Sequence, residues 1–175
     1  MSVDHWQVIG VDIQQDRVQI ARHNYNPRGW RYLRARGETI PLANASVNGV
    51  FCEVAFPYMH IPRVLAELRR VLAPGGWLRA TLHPPSFTWG ELKMYFPNPK
   101  QTLFRVFVLL NGMVLHCCGG VISVGKMAES CQTDTGIRTA LRRAGFTTVS
   151  LRHAGPKFYM EARREQVRHG EAAVA

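Results

Sequence analysis

Apolar residues recur at Ile61, Val64, Leu65, Leu68, Val71 and Leu72, the i, i+3, i+4, i+7 stripe of one helix face. Arg63, Glu67 and Arg70 fall on the opposite face, close enough to pair across one turn. Pro62 suits a first helical position, where its missing N–H is no loss. Pro74-Gly75-Gly76 is then a stop, because proline cannot continue a helix and glycine accepts positive φ. Residues 77–82 read as a strand at once. A helix that stops and feeds a strand is half of a βαβ crossover.

The rest of the chain is ordered around that unit. Residues 8–13, VIGVDI, are a short β-rich run that reads as a buried parallel strand, with Asp12 near its end. Residues 14–25 carry Val18, Ala21 and Tyr25 on one helical face, with Asp16 near the start, where the dipole favours an anion. A loop with Pro27 and Gly29 leads to an arginine-rich edge-strand candidate at 30–36. Residues 37–48 are polar and irregular, and 50–54 form another strand. The prolines at 84, 85, 97 and 99 predict a loop over 83–99. Residues 101–110 are apolar nearly all round, so a helix there should be buried or packed on another surface. Residues 113–130 show no readable period. Residues 135–145 form an amphipathic helix with Ile137, Ala140, Leu141 and Ala144 inward and Gly145 as its stop. Strands at 146–152 and 157–163 flank His153-Ala154-Gly155-Pro156 as a closing hairpin. Together these elements predict an α/β, Rossmann-like domain, its sheet mostly parallel with a C-terminal antiparallel hairpin. It spans residues 1–168, and 169–175 form a flexible tail.

Length and composition agree with one globular domain: 175 residues, 46% hydrophobic and 19% charged. The net charge of +10 is mostly scattered arginine, with no run and no aromatic–basic interleaving. An RNA-binding or RNA-modifying role therefore rests on charge alone, and nucleic acid is not the expected partner. Cys52, Cys117, Cys118 and Cys131 form no Cys-x-x-Cys pair, so free thiols in a reducing compartment are expected. The opening MSVDHWQVIG lacks a cationic start followed by an apolar run, and a cytoplasmic location is the expectation. Residues 106–124 carry no formal charge, but Asn111, Gly112, His116, Gly119, Gly120 and Ser123 interrupt them. They read as a buried or covering segment, with contact to a membrane surface through 103–124, rather than as a span. No grouping of histidines and cysteines makes a metal site.

In open α/β sheets ligands sit beyond the C-terminal strand ends. Asp12 is at such an end, where a carboxylate can accept both hydroxyls of a ribose or cap the following helix. The order of VIGVDIQQDRVQIAR, ARGETIPLANASVNGVF and MHIPRVLAELRRVLAPGGWL resembles the class I S-adenosylmethionine-dependent methyltransferases, type 11 group. The closing GIRTALRRAGFTTVSLRHAGPKFYMEARR is similar to their last helix and hairpin. The resemblance implies S-adenosylmethionine as cofactor. It makes Asp12 the ribose acid and sets Ile13 beside the adenine. Gly37 and Glu38 correspond to the adenine-contacting loop, and Cys52 and Glu53 stand where the fourth strand opens toward methionine and substrate. Residues 84–131 become a substrate-covering insert. His60 and His83 are the candidate bases for an acceptor that must lose a proton.

Two departures accompany the resemblance. Arg36 and Asn48 stand where the family favours acids. More consequentially, the family's first strand, its glycine-rich D-x-G-x-G-x-G loop and the helix after it have no counterpart. That strand is the central one in the family order 3-2-1-4-5-7-6. Its loss leaves two outcomes: direct pairing of the strands at 8–13 and 50–54, or a gap with unpaired backbone. The expectation carried forward is that these strands are neighbours in one incomplete sheet. The activity implied is methyl transfer to a small-molecule or lipid-like acceptor. The alternative is an inactive methyltransferase-like fragment that binds a partner chain supplying the missing strand.

Overall fold

The computed structural model describes residues 7–25, 29–125, 127–154 and 157–166. In chain order the elements are β1 (Ile9–Asp12), α1 (Gln15–Tyr25), β2 (Arg31–Arg34), β3 (Val47–Cys52), a 3₁₀ turn (Phe56–Tyr58), α2 (Ile61–Val71), β4 (Leu72–Leu82), α3 (Pro85–Tyr95), α4 (Pro99–Cys118), α5 (Asp134–Arg143), β5 (Phe146–Ala154) and β6 (Lys157–Arg164).

The strands form two sheets. β1 and β2 pair in parallel, from Ile9 opposite Arg31 to Asp12 opposite Arg34. The second sheet has the order β3-β4-β6-β5, with β3 parallel to β4 and the two pairs involving β6 antiparallel. Among the described residues no ladder joins β1 to β3. The expected neighbours therefore do not share a sheet, and of the two outcomes the gap is the one adopted. The carbonyls of Val8 and Asp12 accept from Arg31 and Ala35 at 3.0 Å each. The intervening Ile9 and Val11 therefore turn their backbone groups to the other edge, which has no strand on it among the described residues.

The organising helix forms as its stripe predicts: Ile61, Val64, Leu65, Leu68 and Val71 are buried. The first four of these join Leu78, Ala80 and Leu82 of β4, Ile137 and Leu141 of α5, and Phe158 and Met160 of β6 in one core. The polar stretch before β3 is pinned to this helix. Arg70 donates to the carbonyls of Ile40 and Leu42 and to Asn44 Oδ1, each at 2.8 Å, while Glu67 accepts from Ile40 N at 2.6 Å.

Helix α2 stops earlier than the Pro-Gly-Gly signal. Leu72 is already extended and pairs with Val47, and the next pair is Gly49 with Trp77. Residues 73–76 are thus a bulge inside β4 rather than a helix stop, with Gly75 at φ +76°. Burial of Leu72 in the core outweighs continued helix. Gly49 has no side chain because the Trp77 ring lies where its Cβ would be.

The insert departs most from expectation. Residues 85–95 are helix α3, not loop, because Pro85 occupies a first-turn position where no N–H is needed. Helix α4 spans 20 residues, twice the predicted stretch, and begins on an Asn98 cap that accepts from Gln101 N at 3.2 Å. It is half-packed rather than buried. Val108, Asn111, Gly112 and Leu115 face the protein, while Leu103, Leu110 and Met113 are exposed. The α5 helix and its Gly145 stop (φ +75°) agree with the pattern. The hairpin pairs through Ala154 and Lys157, so its connection shortens to residues 155–156, which lie outside the described residues, as does the whole of the tail at 169–175.

One face of the four-stranded sheet is covered by α2 and α5. The other presents Phe51, 67% exposed, and an ion-pair row in which Glu161 meets Arg79 and Arg152 at 3.2 Å each. Parallel strand pairs are ordinarily covered on both faces, so among the described residues β3 and β4 are one layer short.

Candidate functional site

Strand β1 delivers Asp12 to its C-terminal end. There Oδ1 accepts from Gln14 N at 2.7 Å, an Asx-type turn that leads into α1 two residues before the cap position. The second carboxylate oxygen has no hydrogen-bond partner among the described residues. Ile13 is half exposed, and its carbonyl accepts from Arg34 Nε at 3.3 Å, which ties the strand end to β2.

Gly37 and Glu38 occupy a tight turn closed by the Arg36–Thr39 bridge. The turn packs on the entry to α2: a Cβ on Gly37 would stand 2.6 Å from Met59 Sδ. Glu38 Oε1 accepts from His60 N at 3.1 Å, and its other oxygen pairs with Arg36 at 3.6 Å. Three predicted residues, Gly37, Glu38 and His60, are thereby gathered at one place. The imidazole of His60 is occupied as the cap of α2, accepting from Arg63 N at 3.4 Å through Nδ1. That acceptor role needs a neutral ring, and burial followed by the Arg63 charge lowers its pKa accordingly.

Cys52 and Glu53 close β3. Burial pushes the Cys52 thiol up to about 11, against weaker backbone hydrogen bonds from Phe56 and Ala55, so it stays protonated and is no nucleophile at neutral pH. Glu53 is exposed. Val54 beside it has φ +65°, a left-handed conformation that a β-branched residue rarely adopts, with its N–H on Thr81 Oγ1 at 3.3 Å. The strained residue sits at the mouth between the ends of β3 and β4.

His83 leaves the end of β4 locked by Gln132, whose Oε1 and N bond its backbone at 2.8 Å each. Its ring lies 4.5 Å from Phe87 and edge-on to Tyr58 at 5.5 Å. Burial, then the Arg105 charge, lowers its pKa, so the ring is neutral. Behind it Arg105 pairs with Glu91 at 3.2 Å and Glu129 at 3.3 Å, all three largely buried. Burial raises Glu129 above the usual carboxylate range, with Arg105 opposing. Burial, then the charges of Glu129 and Glu91, raises Tyr58. Tyr58, Phe87 and the Arg105 triad were not legible in the sequence, because they come from the 3₁₀ turn, α3, α4 and the segment after α4. The prolines at 84 and 85 hid the helix that carries Phe87 and Glu91.

The predicted residues thus form two groups. Gly37, Glu38 and His60 meet at the start of α2, while Cys52 and Glu53 close β3, Cys52 opposite Ala80, and His83 follows the end of the neighbouring β4. Asp12 and Ile13 stand on the separate β1–β2 sheet. No group of three or more histidine, cysteine, aspartate or glutamate residues among the described residues can hold a metal ion.

Residues 2–80 match the methyltransferase domain family. A phthiotriol/phenolphthiotriol dimycocerosates methyltransferase of Mycobacterium leprae is 33% identical over 92 residues, 52% of this chain and 34% of that protein. The demethylmenaquinone methyltransferase of Thermus thermophilus is 26% identical over 81% of this chain and 64% of its own length. The chain therefore spans between a third and two thirds of these relatives. Among solved structures, a S-adenosylmethionine-dependent methyltransferase of Thermotoga maritima superposes with a TM-score of 0.62 at 19% identity, covering 90% of this chain and 73% of its own. A chain of the Haloferax volcanii complex between the Trm112 methyltransferase activator and a methyltransferase gives 0.66 at 13% identity, covering 93% of this chain and 73% of its own. The N-terminal part of the chain is thus similar to methyltransferase domains, and the chain shares the α/β, Rossmann-like fold of these solved structures.

Proposed function

We propose that the chain binds S-adenosylmethionine beyond the C-terminal ends of β1 and β3 and methylates a small-molecule or lipid-like acceptor seated against Tyr58, His83 and Phe87. The observation that carries the acceptor site is the aromatic enclosure of His83 at the end of β4. The adenosine half of the cofactor fits the residues present: Asp12 keeps one carboxylate oxygen for a ribose, and Ile13 offers an open apolar side. The methionyl half has no glycine cradle in the sequence.

When bound, the cofactor supplies a methyl group already activated by its sulfonium, so alignment contributes most of the rate. The chain's own part is to hold the acceptor, exclude water and receive a proton. Tyr58 and Phe87 wall the acceptor, and α3 covers it. His83, neutral at physiological pH, is the group able to take a proton from an acceptor hydroxyl or acidic carbon. Calorimetry of the purified chain with S-adenosylmethionine tests the reading. Micromolar binding abolished by Asp12→Ala, and by Asp12→Asn, which keeps an oxygen for the turn to Gln14, supports it. Absence of heat at millimolar ligand overturns it for the chain alone.

A second reading is favoured by the split sheet and the uncovered face around Phe51. Another polypeptide segment, carrying a strand and a glycine-rich turn, completes the sheet between β1 and β3 and supplies the missing cradle. Cofactor binding that arises only when such a segment is co-expressed separates the two.

A further inference from the structure

We propose that the α3–α4 hairpin docks on an anionic lipid bilayer, lying in its interface through one uncharged face. The argument begins with the two sides of α4. Val108, Asn111, Gly112 and Leu115 recur at i, i+3, i+4 and i+7 and are buried against the protein. Asn111 fixes the segment that follows α4, accepting from Ile122 N at 2.7 Å and donating to the Glu129 carbonyl at 2.9 Å. Half a turn away, Leu103, Val106, Leu110 and Met113 recur at i, i+3, i+7 and i+10, with exposures of 72%, 38%, 56% and 63%.

Helix α4 is long and apolar enough to cross a membrane by length and composition. Its anchored side prevents that without tearing Asn111 from its partners, which leaves lying on the surface as the way to cover the other side. The exposed stripe carries no charged or hydrogen-bonding side chain, unlike the polar rim of a protein interface.

Charge selects the lipid. The chain carries a net +10. Around the hairpin both acids, Glu91 and Glu129, are consumed by Arg105. Lys93 and Lys100, on either side of the hairpin tip, have no salt bridge among the described residues. The tip itself exposes Met94 (68%) and Phe96 (71%), and Lys93 lies over the Trp89 ring at 5.9 Å. Exposed apolar side chains flanked by lysines, with a tryptophan at the edge, suit the headgroup level of an anionic bilayer. A cavity of about 290 Å³ lies beside that stripe and shares Met113 with it, between Trp89 on α3 and Cys117 on α4, with Cys131 also in its wall. An apolar chain leaving the bilayer enters it without crossing water.

Sedimentation of the full chain with phosphatidylcholine vesicles, with and without phosphatidylglycerol, tests the proposal. Neither cofactor nor acceptor is needed, so lipid docking and S-adenosylmethionine binding succeed or fail separately. The expected result is partition onto the anionic vesicles that weakens with salt. Leu103→Glu with Leu110→Glu should lower it on the order of a hundredfold. Lys93→Gln with Lys100→Gln, which touches no apolar contact, should lower it on the order of tenfold. Nitroxide-labelled lipid should quench a tryptophan signal that Trp89→Phe removes. Equal partition onto neutral vesicles, no partition at all, or partition untouched by both double variants overturns the proposal. So does a lipid-free dimer that Leu110→Glu dissociates, since a second copy then covers the face.

Discussion

His60 and His83 are both held neutral by burial, with the charges of Arg63 and Arg105 acting in the same direction. Their folded pKa values lie below the ordinary 6.5, so the unfolded chain binds more protons as the pH drops through that value. Stability is fully present above about 6.5 and declines as acidification approaches the lower folded values. Thermal melts followed by circular dichroism between about pH 5 and 8 should therefore show Tm falling on the acid side. His83→Gln should flatten that fall while keeping a polar group beside Tyr58 and Phe87. A profile unchanged by the substitution would mean that the ring is not desolvated as the structure has it. The same residue is the candidate proton acceptor, so a methyltransferase activity that depends on it should be lost in this variant while cofactor binding persists.

At the scale of elements, legibility followed one-sided burial. α2 and α5 were readable because each packs one face on a single core, which writes a 3.6-residue period into the sequence. β5 and β6 were readable from their alternation. α3 was hidden because its prolines lie at its start, a position that composition alone does not distinguish from a loop. α4 was hidden for the opposite reason: it is apolar on its packed side and on its exposed side, so no period separates the two. What fixes α4 in place is a contact that no pattern records. Gly112 leaves room for Cys131, whose carbonyl oxygen would be 2.9 Å from an added Cβ. Gly136 on α5 likewise lies under α4, with the Leu115 carbonyl 2.8 Å from where its Cβ would be. Backbone atoms cannot yield as a flexible side chain can. Gly112→Ala and Gly136→Ala should each cost about 1–3 kcal/mol in denaturant unfolding. Gly90→Ala, with open space around it, should be neutral or slightly stabilising. Equal effects at all three would argue against the close approach of α4 to its neighbours.

The whole molecule is a sheet drawn in two pieces. Six strands are present in the order that the resemblance implies for all but the first, yet β1–β2 and β3-β4-β6-β5 share no ladder among the described residues. This was half legible: the absence of a glycine-rich loop was visible in the sequence, whereas the choice between re-pairing and a gap was not. Re-pairing β1 with β3 would need both strands to slide together while the segment after β2 stays bound to Arg70 and Glu67, and those hydrogen bonds hold it in place. Amide exchange can read the consequence. The backbone of Ile9 and Val11 points to the edge that carries no strand among the described residues, so their amides should exchange nearly as fast as loop amides. Leu78, Ala80 and Met160, central in β4 and β6, should be protected to the level of global unfolding. If a segment with a strand and glycine turn completes the sheet, its addition should protect Ile9, Val11 and the outer edge of β3 together, and should slow exchange around Phe51 as the open face is covered. Protection at Ile9 and Val11 in the chain alone would mean that the edge is already paired, and the second reading of the function would fall with it.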